Sequence, residues 1–149
     1  MVMAPLIVLI VASAMFWFVG RLGVTVFQHA STVLRTALGL MFLLTASAHW
    51  GKRRRDLIRM VPPIFPRPDL LVTVTGLLEV LGAIGLLIPS TARTAGICLA
   101  LLLIALFPAN IHAARKKLTI AGQPVPGIPM RTGIQIVFVA ALAGAAFLK

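Results

Sequence analysis

The sequence predicts an all-α protein, a polytopic bundle of five transmembrane helices. Its 149 residues are 60% hydrophobic and only 11% charged, with a mean hydropathy of +1.04, which excludes an ordinary soluble domain. Five apolar runs are long enough to cross a hydrocarbon core of ~30 Å. The net charge of +11 comes from residues that lie between these runs or near their ends. They are interpreted as topology signals that face anionic lipid headgroups, not as a nucleic-acid surface.

The five predicted helices cover residues 1–20, 32–50, 70–88, 94–114 and 131–148. The first run contains Ala12-Ser13-Ala14, which looks like a signal-peptidase site. No Lys or Arg precedes that triplet, however, and the run stays apolar through Val19, so we expect a retained helix. No repeat or low-complexity tract divides the chain, and residues 1–149 are therefore predicted to form a single membrane domain.

The distribution of Lys and Arg predicts the orientation of the bundle. The connections at 51–69 and 115–131 together carry ten of these residues, and the opposite side carries four. Because basic loops stay on the cytoplasmic side, the sequence predicts the N-terminus in and the C-terminus out.

Both basic connections have their own expected structure. Apolar positions between Leu57 and Val61 alternate with Arg residues, which is typical of a short turn or helix lying on headgroups. The proline-rich run 61–68 then restricts the backbone, so we expect a stiff extended strap that enters the third helix. The second connection is rich in Gly and Pro over 122–129, and we expect it to be irregular.

Glu79 is the only acidic residue inside any apolar run, near the middle of the third. An ionisable group at this depth is costly and is usually kept for a ligand, a proton or a structural partner. Spacings of three and four place it on one helix face with small and apolar residues, which predicts that it faces the bundle interior. That face comprises Val72, Thr75, Gly76, Glu79, Gly82, Ala83 and Leu86. A neutral Glu79 that donates a hydrogen bond and an ion-paired Glu79 both remain open at this point.

Candidate partners for Glu79 cluster toward the cytoplasmic half. His49 closes the second helix, Asn110 and His112 lie near the end of the fourth, and Arg131 and Gln135 share a face of the fifth. Each also has a plainer interpretation. His49 can be an interfacial anchor, Asn110 and Gln135 can be interhelical hydrogen-bond glue, and Arg131 can snorkel to the interface.

Several chemistries are excluded or disfavoured. The chain has no phosphate loop, zinc motif, nucleophile elbow or dinucleotide fingerprint. Its lone Cys98 cannot form an intrachain disulfide and is interpreted as a small packing residue. His49 and His112 could in principle ligate a b-type haem, but both sit at wet helix ends beside basic residues, which disfavours haem.

Five segments in order resemble the DoxX-like family of small bacterial membrane proteins. They are Ala48-His49-Trp50, Val61 to Pro66, Thr75 to Glu79 running into Gly82 to Pro89, Phe107 to His112, and Arg131 with Gln135. The resemblance implies a four-helix core over 32–148, an extra N-terminal helix at 1–20 outside it, and a location in the bacterial cytoplasmic membrane. It also implies an association with redox complexes, since one branch feeds electrons to quinone and another joins a detoxification assembly.

Two functional hypotheses follow. The first is an accessory or anchoring subunit of a membrane-associated redox or detoxification system, whose cytoplasmic loops recruit a soluble redox enzyme. The second is a small membrane enzyme or carrier that binds a quinone, lipid or other amphiphile around Glu79. In the second hypothesis Glu79 and His49 exchange protons, and Asn110, Arg131 and Gln135 orient the polar head. A pocket open to the bilayer favours the second hypothesis, and a tightly packed interior with a fully paired Glu79 favours the first.

Overall fold

The computed structural model describes residues 3–148 and is all-helical apart from one small hairpin. The elements are helices α1 (Ala4–Arg21), α2 (Ala30–Ser47), α3 (Arg54–Met60), α4 (Pro68–Leu87) and α5 (Ala92–Arg115), strands β1 (Thr119–Ile120) and β2 (Gln123–Pro124), and helix α6 (Ile128–Phe147). A single 3₁₀ turn at Thr25–Gln28 joins α1 to α2.

Five of these helices, all except α3, are long and apolar enough to cross a membrane. They fall on the five predicted runs and suggest a multi-pass membrane protein. The predicted start of the first run, at residues 1 and 2, lies outside the described residues, as does Lys149. One boundary prediction is wrong, because α2 ends at Ser47 and His49 lies in the turn beyond it. The turn is held by Arg54, whose Nη1 donates to the His49 carbonyl at 2.8 Å.

Four helices form a closed ring, and α1 lies outside it. Helix α2 packs against α4 and α6, and α5 packs against the same two helices from the other side. Helix α1 packs mainly against α2. Because α2 and α5 end where α4 and α6 begin, both basic connections meet at one end of the bundle, which we call the basic end.

The ring is tightly packed away from the basic end. The largest fully buried side chains are Leu38, Met41 and Phe42 of α2, Leu86 of α4, Leu99 of α5 and Leu142 of α6. Small residues let the helices approach closely, since a side chain at Gly82 would collide with Leu99. The predicted interior face of α4 is confirmed, with Val72, Gly76, Glu79, Ala83 and Leu86 all buried.

The two basic connections are more structured than predicted. The short helix predicted in the first connection is present as α3. The strap after it is not simply extended, because Phe65 N–H donates to the Pro62 carbonyl at 3.1 Å and turns the chain. The second connection is not irregular throughout, because β1 and β2 pair as an antiparallel hairpin. Ala121 and Gly122 both take positive φ at its tip, as a two-residue hairpin turn requires.

Candidate functional site

Glu79 is buried at the middle of α4, with its side chain 5% exposed. It lies eleven residues from the start of α4, about 16 Å along the axis at 1.5 Å per residue. Its partner is Thr45 on α2, whose hydroxyl lies 2.7 Å from Glu79 Oε2 and 3.0 Å from the Phe42 carbonyl oxygen. A hydroxyl has one hydrogen to donate, so Thr45 can serve one of these acceptors at a time. An ionised Glu79 accepts from Thr45, whereas a protonated Glu79 can donate to Thr45 while Thr45 donates to Phe42.

Thr45 also links Glu79 to His49. The Nδ1 atom of His49 lies 3.3 Å from the Thr45 carbonyl oxygen. Because a carbonyl only accepts, this contact places the ring hydrogen on Nδ1 and leaves Nε2 as the acceptor of a neutral imidazole. Burial lowers the pKa of His49, and the positive charge of Arg54 lowers it further, against the opposing effect of backbone hydrogen bonds. Burial and Arg54 therefore both favour the neutral form of His49.

His49 is positioned by a glycine on the facing helix. A Cβ atom at Gly76 would stand 2.7 Å from His49 Cβ and 2.8 Å from its Cγ. Both distances are shorter than any ordinary contact between carbon atoms. The imidazole therefore occupies space that only a glycine at this position leaves free.

Arg131, in the first turns of α6, is the second buried charged group and is 8% exposed. Its Nη1 donates to Asn110 Oδ1 on α5. Its Nε and Nη2 atoms are buried and find no acceptor within residues 3–148, and neither does Nε2 of Gln135 one turn further along α6. In the described part of the chain the only ion pair is Arg59 with Asp56, so neither Glu79 nor Arg131 is ion-paired there.

A cavity of about 440 Å³ brings these residues together. It lies at the basic end of the bundle, and its walls are mainly apolar, with Leu44, Leu102, Leu103 and Leu106 among them. Residues of α3 and of the strap, including Leu57, Met60, Pro62 and Phe65, cover its basic end, and Ala4 and Pro5 of α1 border it. Its polar lining consists of Thr45, His49, Arg53, Thr75, Glu79, Asn110 and Arg131. A cavity of this volume, with mainly apolar walls and a few polar groups, is typical of a small-molecule binding site.

Four of the six predicted site residues meet in this cavity, namely Glu79, His49, Asn110 and Arg131. The other two, His112 and Gln135, do not line it. Sequence reasoning missed Thr45 and Arg53. Thr45 had a usable signal, because it lies one helical turn before His49, but nothing in the sequence pairs it with Glu79 across 34 positions.

The cover of the cavity is fastened by two residues of α3. Arg54 Nη2 donates to the Asp69 carbonyl at 3.0 Å and to the Thr73 hydroxyl at 2.9 Å, which ties α3 to the start of α4. Asp56 Oδ2 accepts from the Ala121 N–H at 2.8 Å. This bond, with a smaller effect from Arg59, holds the pKa of Asp56 below its usual range. The two basic connections are thus joined directly.

Within residues 3–148 no three His, Cys, Asp or Glu side chains lie close enough together to bind a metal ion. A bound cofactor would have to fit the mainly apolar cavity and its few polar groups.

One family matches the sequence, described as a domain of unknown function, DUF8561, over residues 38–145. No curated protein matches the chain. No solved structure matches it either. Since the match spans most of the chain, from the middle of α2 to near the end of α6, the protein belongs to the DUF8561 family. Helix α1 lies outside the matched region.

Proposed function

We propose that this DUF8561 protein is a multi-pass membrane protein that binds a small amphiphile in the cavity at its basic end. The positive-inside distribution puts that end on the cytoplasmic side, with the N-terminus in and the C-terminus out. The four-helix ring with an extra N-terminal helix is also the architecture that the DoxX-like resemblance implies. A quinone, a lipid or another amphiphile fits the combination of apolar walls and a few polar groups.

The observation that carries the proposal is the cavity itself, with a buried carboxyl in its wall that has a single hydroxyl partner. A residue kept only to lock the bundle would be surrounded by partners in a filled interior. Here the half of the ring away from the basic end is filled, and the half that holds the charged residues is open.

Energetics point the same way. A charged side chain at the centre of a membrane helix costs about 2.5–3.5 kcal/mol on the insertion scale. One hydrogen bond from a hydroxyl contributes roughly 0.5–1.5 kcal/mol, or up to about 3 kcal/mol when its acceptor is charged. The bond from Thr45 therefore at best balances the cost of Glu79. Stability alone gives no reason to keep a carboxyl there, whereas a ligand or a transferred proton does.

The proposed roles follow from the contacts. Glu79 holds or releases a proton, because the Thr45 hydroxyl can serve both of its protonation states. His49 offers a neutral Nε2 that can accept a proton at the cytoplasmic edge of the cavity. Asn110 holds the Arg131 guanidinium, and Arg131 orients the polar head of the ligand.

The experiment is extraction of the full chain in polymer nanodiscs from its own membrane, followed by mass spectrometry of bound small molecules. Ala109→Phe fills the cavity, because Ala109 lines it beside Asn110. Ala140→Phe is the matched control, since Ala140 is exposed on α6 and does not line the cavity. We expect a stoichiometric amphiphile with the wild type and Ala140→Phe but not with Ala109→Phe. A wild type that carries no enriched amphiphile, or equal enrichment in all three proteins, would contradict the proposal.

A second candidate function is the anchoring of a soluble redox enzyme, which one observation favours. The basic end exposes a group of cationic side chains to the aqueous side: Lys52, Arg55, Arg59, Arg67, Arg115, Lys116 and Lys117. The hydrogen bond between Asp56 and Ala121 joins the two connections on which these cationic side chains lie. An acidic partner would find a preassembled surface there.

The test of anchoring must avoid Arg53 and Arg54, since Arg53 lines the cavity and Arg54 fastens α3. Replacing Arg55, Arg115 and Lys116 by Glu leaves those contacts intact. If the protein is an anchor, a soluble enzyme that co-purifies with the wild type is lost from this variant. Unchanged recovery would remove the basic surface from consideration.

A further inference from the structure

We infer that the ligand of this cavity carries an oxyanion head, a carboxylate or a phosphate, and that Arg131 receives it. The inference rests on the proposed function, which it deepens by naming the chemical class of the ligand. A head with only neutral carbonyl groups, such as a quinone, is the alternative that it excludes.

The first step is the imbalance between donors and acceptors beside the cavity. Only 8% of the Arg131 surface is exposed. Two of its three side-chain nitrogens, Nε and Nη2, nevertheless lack an acceptor within residues 3–148. Buried donors are almost always satisfied in folded proteins, because an unsatisfied one is costly. The missing partner is therefore rich in acceptors, and an oxyanion is the densest source of them.

The second step is the geometry of the free edge. Nε and Nη2 lie along one edge of the planar guanidinium, where an N–H bond of each points in the same direction. This is the edge that takes a carboxylate or a phosphate through two hydrogen bonds. The third nitrogen, Nη1, donates to Asn110, so the edge formed by Nε and Nη2 is the part of the guanidinium that has no partner within residues 3–148.

The third step is the charge balance of the cavity. Its ionisable lining groups are Glu79 from α4, His49 after α2, Arg53 before α3 and Arg131 from α6. The two Arg residues outnumber the one carboxyl, so the site carries a net positive charge in every protonation state of Glu79 and His49. An anionic head neutralises it.

The shape of the site limits the rest of the ligand. The apolar wall formed by Leu44, Leu102, Leu103 and Leu106 adjoins the polar group. A volume of about 440 Å³ suits a head with one chain, and any second chain would stay outside. Nε and Nη2 are closed to water in the present arrangement, so binding also requires the Arg131 side chain to turn toward the cavity that it lines.

The experiment measures binding of defined probes to the purified, delipidated full chain in detergent by calorimetry. Palmitate supplies a carboxylate head, and palmitoyl-lysophosphatidate supplies a phosphate head on one chain. Monopalmitoylglycerol has the same chain with a neutral head, and inorganic phosphate has the head without a chain. We expect at least one of the two anionic amphiphiles to bind at least tenfold more tightly than the neutral one and than inorganic phosphate. Tighter binding of palmitate would identify the source of the oxyanion as a free acid, and tighter binding of palmitoyl-lysophosphatidate would identify it as a phospholipid.

Three variants connect binding to Arg131. Arg131→Lys keeps the positive charge but cannot form the bidentate pair of hydrogen bonds, so we expect about a 10- to 100-fold loss of affinity for the anionic probe. Asn110→Asp is isosteric and gives Arg131 an internal carboxylate, so it should weaken binding to a similar extent in a folded protein. Arg93→Met is the control, because Arg93 is exposed at the opposite end of the bundle, where it stacks on Phe147.

The outcomes separate this inference from the proposed function. Equal binding of monopalmitoylglycerol, or wild-type affinity in both Arg131→Lys and Asn110→Asp, would refute the oxyanion assignment and leave amphiphile binding intact. Inorganic phosphate binding as tightly as the amphiphiles would refute the amphiphile. If no amphiphile binds, both statements fail. An unfolded Arg131→Lys leaves Asn110→Asp as the deciding variant, with its melting temperature as the check on folding.

Discussion

Gly76 offers the sharpest test of how the site is built. Replacing it with Ala adds one Cβ that would stand 2.7 Å from His49 Cβ, 2.8 Å from His49 Cγ and 3.0 Å from Trp50 Cη2. Since two side chains have to give way, we expect an overpacking cost of about 1–3 kcal/mol. The same change removes a helix glycine, which contributes up to about 1 kcal/mol in the favourable direction. The net prediction is a destabilisation of about 0–2 kcal/mol.

Gly133→Ala is the matched control for Gly76→Ala. Gly133 lies in α6, and a Cβ there would meet nothing within 4 Å. This variant should therefore show the helix contribution without the collision, and the two free energies of unfolding should differ by about 1–3 kcal/mol. The assay is reversible unfolding in mixed micelles with increasing dodecyl sulfate, followed by far-ultraviolet circular dichroism. If Gly76→Ala is as stable as Gly133→Ala, the close contact between α4 and His49 is not as described.

The remaining predictions concern protonation, the cover and the topology. Glu79→Gln keeps an oxygen for the Thr45 hydroxyl, so we expect the free energy of unfolding to change by less than about 1 kcal/mol. The number of protons taken up or released on ligand binding, measured by calorimetry in buffers of different ionisation enthalpy, should fall in this variant, and an unchanged number would show that Glu79 does not exchange a proton. Because the pKa of Asp56 is lowered in the folded protein, its contribution to holding the hairpin is complete above an ordinary carboxyl pKa of about 3.9 and is lost as pH falls through the lowered value. Amide exchange at Ala121, corrected for its intrinsic pH dependence, should accelerate below about pH 4 in the wild type and be fast at all pH values in Asp56→Ala, which has no side-chain acceptor; equal protection in both proteins would contradict the link. In a C98A background, K117C should react with an impermeant maleimide only after the membrane is opened, and labelling in intact cells would reverse the proposed orientation.

Much of the architecture was predictable because the bilayer constrains it strongly. A chain that crosses a hydrocarbon core must satisfy its backbone within each segment, so length and apolarity were enough to predict five helices near their observed positions. The three- and four-residue spacing around Glu79 likewise predicted the buried face of α4, because helix geometry alone decides which side chains share a face. The gathering of His49, Asn110 and Arg131 at one end followed from antiparallel connectivity.

Other features depended on contacts between residues far apart in the sequence. Thr45 contacts Glu79 only because α2 and α4 pack side by side. Gln135 does not line the cavity, although it shares a face of α6 with Arg131. The hairpin formed where irregular chain was expected, and there Asp56 accepts a hydrogen bond from Ala121, a residue with positive φ 65 positions away.

The sequence by itself determined the helices, their order and the buried position of the one carboxyl inside an apolar run, because these depend on apolar length and helical periodicity. Only the tertiary structure decided that the ring is filled at one end and holds a cavity at the other, and that Arg131, whose Nε and Nη2 find no acceptor within residues 3–148, lines this cavity. The physical reason is that a cavity is defined by where side chains from several helices fail to meet. No local pattern along the chain encodes the separation between side chains on different helices.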